Sequence, residues 1–329
     1  MIERPGHLKS TDSKERTYSP ERDGRIEVEG DPMILSILAK QAENVRQGEE
    51  DPNVRIALFI LPGGIRGVTS GGQVTALGES GLTNGFNVVV GGSTGAHVAA
   101  WLLAGDPRLG TTIFSEECAS KNFIDLKRIP DGHGMDVEYL SQVYRGETSN
   151  KVLDIERIRA AHPDFRIALT EYYTGKSVLV DGKNTETIDA IQASSAAGPM
   201  YTKPIYIGDT RYGDASAGAY FPVKDIVDEY DPTHIVVLPN RSKDLKESAT
   251  SRLLDRTLSA SLPAPYRDAW LAREQNFNEG LEDLRSSGVP YVLFWSDNAV
   301  AALTREPETI RAAAARSEEH MRTLLEASK

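Results

Sequence analysis

Cysteine is nearly absent from this sequence: Cys118 is the only one among 329 residues. No disulfide can close within the chain, and a reducing compartment, the cytoplasm by default, is the expectation. Long apolar runs are missing as well. None approaches the roughly 18 residues of a membrane-spanning helix. The opening MIERPGHLKSTDSKERTYSPERDGR is polar throughout and lacks the apolar stretch of a secretory signal. Positive charge is in deficit, with 37 Lys and Arg against 48 Asp and Glu and a net charge of -11. That balance argues against a nucleic-acid partner and repels anionic lipid headgroups on average. Any peripheral membrane contact therefore needs a local apolar or basic patch. Neither H-E-x-x-H nor paired cysteines occur, so no zinc site is expected.

What is present is a composition of 40% hydrophobic and 26% charged residues, that of a soluble domain with a substantial core. No repeat or low-complexity tract interrupts it. Residues 1–30 are polar with few large apolar groups, which predicts a loosely ordered arm. Residues 32–47 have helical spacing (Ile34, Ile37, Leu38, Val45) and end at Gly48. From Val54 onward, short apolar runs alternate with glycine and helical stretches, the pattern of an α/β fold. IALFIL (56–61), FNVVV (86–90), FRIALTEYY (165–173), HIVVLP (234–239) and YVLFWS (291–296) read as strands buried on both faces. Residues 72–81, 94–104, 136–144 and 306–327 read as helices, the last with Pro307 in its first turn. The expected organisation is an arm at 1–30, the main α/β domain at 31–240, and a C-terminal helical extension at 241–329 packed on the same domain.

Residues 56–105 hold the densest chemical signal: a strand, LPGGIRG, a helix, the strand FNVVV, then GGSTG and another helix. GGSTG is G-x-S-x-G with Ser93 at its centre, and between a strand and a helix that spacing makes a nucleophile elbow. Gly91 and Gly95 are needed because side chains there would block the turn. Ser93 then projects above the N-terminus of the next helix, whose unpaired N–H groups and positive dipole end favour an oxyanion. The pentapeptide alone also arises by chance in glycine-rich turns; the flanking strand and helix give it meaning. In LPGGIRG, Gly63 and Gly64 let the backbone approach a ligand and aim N–H groups inward, as an oxyanion hole requires. Arg66 orients this loop or adds positive charge, and Gly67 closes it. A phosphate cradle is the other use of such a turn, but the G-K-[ST] ending of a P-loop and the G-x-G-x-x-G spacing are missing.

A serine hydroxyl needs a base to become a nucleophile. His7 and His320 fall in the arm and the terminal helix and read as solvated. His97, four residues past Ser93, reads as a packing or capping residue. His234 opens a strand and is the histidine placed for a triad in the order Ser, Asp, His. A carboxylate is the alternative.

Residues 193–223, ASSAAGPMYTKPIYIGDTRYGDASAGAYFPV, bear on that choice. Together with PGGIRG and GGSTG they resemble the patatin-like phospholipase family, in which a G-G-x-R-G loop, a G-x-S-x-G elbow and a late D-G-[GA] turn occur in this order. The matching aspartate is Asp214, in Tyr212-Gly213-Asp214-Ala215-Ser216. ASSAAGPMYTKP looks like the lead-in A-S-x-A-x-P-x-x-x-x-P through Ala193, Ser194, Pro199 and Pro204, with one residue more before Pro199, and LTEYYTGKSVLV (169–180) is similar to the T-x-x-x-T-G segment of bacterial members. The likeness covers about residues 55–240.

The resemblance implies a three-layer α/β fold, a mostly parallel sheet between helices. It also implies a serine acyl hydrolase in which Asp214 takes the Ser93 proton and the N–H groups of Gly63, Gly64 and Thr94 hold the oxyanion. Water then cleaves the acyl-enzyme, with no metal or other cofactor. The implied substrate is a lipid acyl ester: a phospholipid, lysophospholipid or acylglycerol. Two positions depart from the family pattern. Pro62 replaces the first glycine of the loop and has no N–H to donate. Ala215 replaces the glycine after the aspartate, a strained choice if that position has positive φ. They motivate a rival reading, a catalytically silent lipid-binding or scaffold protein, beside another in which Ser93 works with His234 as an esterase or acyltransferase. KNFIDLKRI (121–129) also has two readings. It is a rim that touches membrane and admits acyl chains, or a packed helix with solvated Lys121, Lys127 and Arg128. The residues carry no signal for oligomeric state.

Overall fold

The apolar runs of the sequence become the centre of one mixed sheet. The computed structural model describes residues 27–184, 186–245, 249–297 and 300–328. The expected polar arm lies outside these residues as far as position 26. Its last four residues instead form a strand. The strands are β1 (Glu27–Gly30), β2 (Ile56–Ile60), β3 (Val88–Gly92), β4 (Asp164–Glu171), β5 (Ser177–Asp181), β6 (Ile205–Ile207), β7 (Thr210–Gly213), β8 (His234–Leu238) and β9 (Tyr291–Trp295). They lie in the order β1-β9-β8-β2-β3-β4-β7-β6, with β5 also on β4. The run β9-β8-β2-β3-β4 is parallel, while β1, β5, β6 and β7 pair antiparallel at its margins.

Parallel strands covered on both faces are near-continuous in apolar residues, and β2, β3 and most of β8 are buried at every position. Side chains alternate between two cores. Ile56, Leu58, Ile60, Val89, Val236 and Phe294 face one, and Ala57, Phe59, Val90, Val237, Leu293 and Trp295 the other. The first core is covered by α1 (Ile34–Gln47), α2 (Val68–Glu79), α3 (Thr94–Leu103), α4 (Pro107–Ser115), α5 (Val137–Tyr144), α6 (Ile155–Ala160) and α7 (Thr187–Ser194). There follow α8 (Ala215–Gly218), α9 (Val223–Tyr230), α10 (Ala249–Leu258), α11 (Ala264–Leu271), α12 (Arg273–Ser286) and α13 (Pro307–Ala327). Of these, α9 and α12 cover the second core and α13 returns to the first. The result is the three-layer α/β fold with a mostly parallel sheet.

Two departures from the sequence reading have packing causes. The second helix begins at Val68 rather than at residue 72, taking Gly71 and Gly72 into its body. A Cβ on Gly72 would lie 2.3 Å from the Ala314 carbonyl oxygen, so the glycine is what lets α13 seat on α2. Ser317 Oγ fastens the pair by donating to the Thr69 carbonyl at 2.6 Å. KNFIDLKRI is not a packed helix. Ile124 bridges to Met135, and a short 3-10 turn follows at Leu126–Asp131, capped by Asp125 and containing Pro130. Among the described residues no helix is long and apolar enough to cross a membrane.

A side chain forced between α2 and α13 would meet backbone, which cannot move aside cheaply. Gly72→Val is expected to cost about 3 kcal/mol and to lower the thermal midpoint measured by circular dichroism. An unchanged midpoint would mean that the two helices are not in this contact.

Candidate active site

The backbone at Ser93 is strained. β3 runs to Gly92, α3 starts at Thr94, and between them Ser93 has φ 51° and ψ -125°, a conformation that non-glycine residues rarely adopt. The neighbouring glycines supply the space. A Cβ on Gly95 would lie 1.9 Å from the Ile60 carbonyl oxygen, and one on Gly91 would lie 2.6 Å from the Ala96 Cα. The Ser93 N–H donates to Ser194 Oγ at 2.7 Å, and Ser194 Oγ donates to the Ala168 carbonyl at 2.7 Å, so the turn is tied to β4.

The Ser93 hydroxyl, buried in the turn, donates to Asp214 Oδ2 at 2.8 Å. Asp214 caps α8 and is fully enclosed: its Oδ1 accepts from the N–H and hydroxyl of Ser216. Its backbone is pinned as firmly. The carbonyl accepts from Thr170 Oγ1 at 2.7 Å, and the N–H donates to Tyr266 Oη at 2.9 Å. Burial raises the Asp214 pKa, more than the donors Ser216 and Ser93 and the charge of Arg273 lower it. The alanine that follows meets no strain. Among the described residues only Ser93 and Asp231 are non-glycine with positive φ, so Ala215 occupies an ordinary conformation.

The glycine loop packs against the elbow, with no room for a Cβ on Gly67, which would stand 2.0 Å from Thr94 Oγ1. Gly63 is extended (φ -176°) and Gly64 is left-handed (φ +62°), where glycine is favoured. Arg66 Nε donates to the Gly63 carbonyl at 3.1 Å. In a trans peptide the carbonyl and the next N–H point oppositely, so this bond fixes the direction of the Gly64 N–H. The loop is held from behind by Asn240, fully buried, whose Nδ2 donates to the Leu61 carbonyl at 2.7 Å and whose Oδ1 accepts from the Ser70 N–H at 3.2 Å. Pro62 offers no donor. Thr94 opens α3, and the first N–H groups of a helix have no intrahelical acceptor.

A cavity opens beside Ser93 and Gly64, walled by Ile113, Phe114, Phe123 and Leu140 among others. Its volume, mouth included, is about 470 Å³. The slot is narrow and mostly apolar. Phe123 of KNFIDLKRI lines it, while Leu126 is exposed.

The histidines take other places. His97 is buried in the cavity wall with Nδ1 2.6 Å from Tyr144 Oη and Nε2 2.8 Å from Ser195 Oγ, so both ring nitrogens are engaged away from Ser93. Burial lowers its pKa to about 4, which leaves the ring neutral at physiological pH. His234 pairs with Ile56, at the opposite end of the sheet from the elbow. Four residues of strand separate those ends along β2, about 13 Å at 3.3 Å per residue. The geometry does not bring His234 to Ser93. Tyr266, Asn240, Ser194 and Ser195 had no separate signal in the sequence beyond Ser194's place in the lead-in segment.

The sequence profile of the patatin-like phospholipase family matches residues 62–227. No curated protein sequence matches the chain. Among solved structures, human GIVD cytosolic phospholipase A2 superposes with a TM-score of 0.48 at 11% identity, covering 92% of this chain and 65% of that one. ExoU of Pseudomonas aeruginosa, solved with SpcU, gives 0.42 at 16% identity over 98% of this chain and 62% of the other. VipD of Legionella pneumophila gives 0.41 at 11% identity over 83% and 67%. The chain thus spans about two thirds of the length of these proteins.

A buried carboxylate with a raised pKa weakens the fold. Between the unfolded value near 3.9 and the higher folded one, the folded state binds more protons, so stability falls as pH rises through that window. Asparagine keeps the shape without the charge. Asp214→Asn should therefore melt above wild type at pH 7, with the gain shrinking as pH falls below the raised pKa. A variant that melts below wild type at pH 7 would contradict this balance.

Proposed function

The chain belongs to the patatin-like phospholipase family, whose profile spans half of it, and on that premise we propose that it hydrolyses lipid acyl esters through an acyl-enzyme on Ser93, with Asp214 as base. The observation that carries this reading is the 2.8 Å bond from the Ser93 hydroxyl to a carboxylate enclosed by protein. As Ser93 Oγ attacks the ester carbonyl carbon, Asp214 Oδ2 takes its proton. The oxyanion that forms is held by the N–H groups of Gly64, Gly63 and Thr94, with Arg66 and Asn240 fixing the loop that presents them. The intermediate collapses, the C–O bond to the alcohol breaks, and the leaving oxygen receives the proton from Asp214. Water then attacks the acyl-Ser93 carbonyl and gives a proton to Asp214; the C–Oγ bond breaks, Ser93 Oγ takes that proton back, and the carboxylic acid leaves.

Burial serves this scheme. An aspartate near pKa 3.9 is a weak base for an alcohol, and desolvation moves Asp214 in the useful direction. The apolar slot takes the acyl chain. Residues 31–240 and the extension at 241–329 act as one catalytic unit in this reading, because α11 supplies the Tyr266 hydroxyl that receives the Asp214 N–H. The partner is a lipid acyl ester reached at a membrane surface by peripheral contact, in the cytoplasm, with no nucleic acid involved. The silent-scaffold rival loses one of its two motives, since Ala215 is unstrained.

Turnover of a short-chain nitrophenyl ester and of phospholipid vesicles tests the reading. Ser93→Ala and Asp214→Asn are each expected to lose about 10³-fold or more in kcat, with His234→Ala near wild type. In wild type, kcat/KM should fall on the acid side as Asp214 is protonated, with an apparent pKa above 3.9. Activity that depends on His234, or that stays flat between about pH 4 and 8, would overturn the assignment.

A further inference from the structure

The acyl slot is not wholly apolar. Tyr144, His97 and Ser195 all line it, joined in a string by bonds of 2.6 Å and 2.8 Å. All three are at least nine-tenths buried. Polar groups cost free energy when buried unless each finds a partner, so their hydrogens can be counted. The phenol, the neutral imidazole and the serine hydroxyl carry one each. Three hydrogens serve two bonds, and one is left over at an end of the string.

The neighbour at the tyrosine end decides which. The indole N–H of Trp101 is buried without an acceptor in good geometry, and tryptophan can only donate. Trp101 packs edge-on against Tyr144 with ring centroids 5.9 Å apart, and its N–H opposes the upward push that burial gives the Tyr144 phenol. The Tyr144 oxygen therefore accepts at that side and sends its own hydrogen to His97 Nδ1. The imidazole carries its hydrogen on Nε2 and donates it to Ser195 Oγ. The spare hydrogen is that of Ser195.

Among the described residues the Ser195 hydroxyl has His97 as its hydrogen-bond partner, which leaves its hydrogen directed to the slot. Ser195 follows Ser194, whose hydroxyl touches the Ser93 amide, so this donor stands close to the reacting carbonyl. His97 lies in the first turn of α3, four residues past Ser93, and both residues line the slot. An extended acyl chain starting at Ser93 passes that point within its first few carbons.

We propose that Ser195 donates to an oxygen carried by the acyl chain near its carboxyl end, so that the slot selects 3-hydroxyacyl esters over unsubstituted ones. This deepens the hydrolase reading and rests on it for the identity of the slot. A site built to hydrogen-bond a substrate oxygen discriminates against the analogue lacking it, because the buried donor is then left unpaired.

The test compares nitrophenyl esters of octanoic and 3-hydroxyoctanoic acid. Wild type should favour the hydroxy ester about tenfold or more in kcat/KM. Ser195→Ala should bring the ratio of kcat/KM for the two esters to about one, and Ser195→Thr should restore part of the preference. Equal rates on both esters in wild type, or a preference that survives in Ser195→Ala, would overturn the proposal. A second arm does not need turnover: binding of 3-hydroxyoctanoate and octanoate to Ser93→Ala, measured by calorimetry. Tighter binding of the hydroxy acid, lost in the Ser93→Ala, Ser195→Ala double variant, supports the subsite even if neither ester is hydrolysed. Equal binding removes the subsite while hydrolysis of either ester keeps the family reading intact.

Discussion

The site depends on one strained residue. Ser93 sits at φ 51° and ψ -125°, a conformation that costs about 1–3 kcal/mol for a residue with a side chain, and the rest of the fold is arranged to hold it there. α3 can cross the ends of the strands only because Gly95 has no Cβ to strike the Ile60 carbonyl. The Ser194 hydroxyl takes the amide that the sharp turn exposes. The order β2-β3-β4 then sets the neighbours. With β3 in the middle, the glycine loop after β2 stands on one side of Ser93. The aspartate turn, reached through β7 beside β4, stands on the other. Ligand sites of open parallel sheets lie at such carboxyl ends.

Electrostatics at the site follow from burial more than from charge pairs. Asp214 has its first oxygen committed to Ser216 and its second to Ser93, so it has one orientation and one outlet for a proton. Desolvation makes the anion less comfortable and hence a better acceptor. The same desolvation acts on His97 in the other direction and keeps it neutral. One enclosed environment thus gives a carboxylate with a raised pKa and a neutral imidazole that links two hydroxyls. A net charge of -11 over the chain has little part in this, because the site is shielded from solvent.

What was legible in the sequence was local. The elbow is a five-residue pattern with a strand before it and a helix after it, and its glycines answer to contacts within that turn. The parallel strands were legible because burial on both faces leaves a continuous apolar run. Asp214 was legible through its family motif, although Ala215 raised a concern about strain that its ordinary backbone angles remove. The parts that were not legible are tertiary. Tyr266 reaches the Asp214 amide across 52 positions of chain, and Asn240 reaches Leu61 across 179. Tyr144 and Ser195 meet His97 from separate helical segments. No spacing rule links such residues. The start of α2 was missed for a related reason: Gly71 and Gly72 look like breakers until α4 and α13 are seen to need the room.

We propose that Ser93 is an activated nucleophile and that Asp214 activates it. Labelling with a fluorescent fluorophosphonate, followed by peptide mapping of the adduct by mass spectrometry, tests it most directly. A single adduct is expected on the peptide carrying Ser93, absent from folded Asp214→Asn and retained in His234→Ala. No adduct on wild type, an adduct on another residue, or labelling that survives in Asp214→Asn would contradict it.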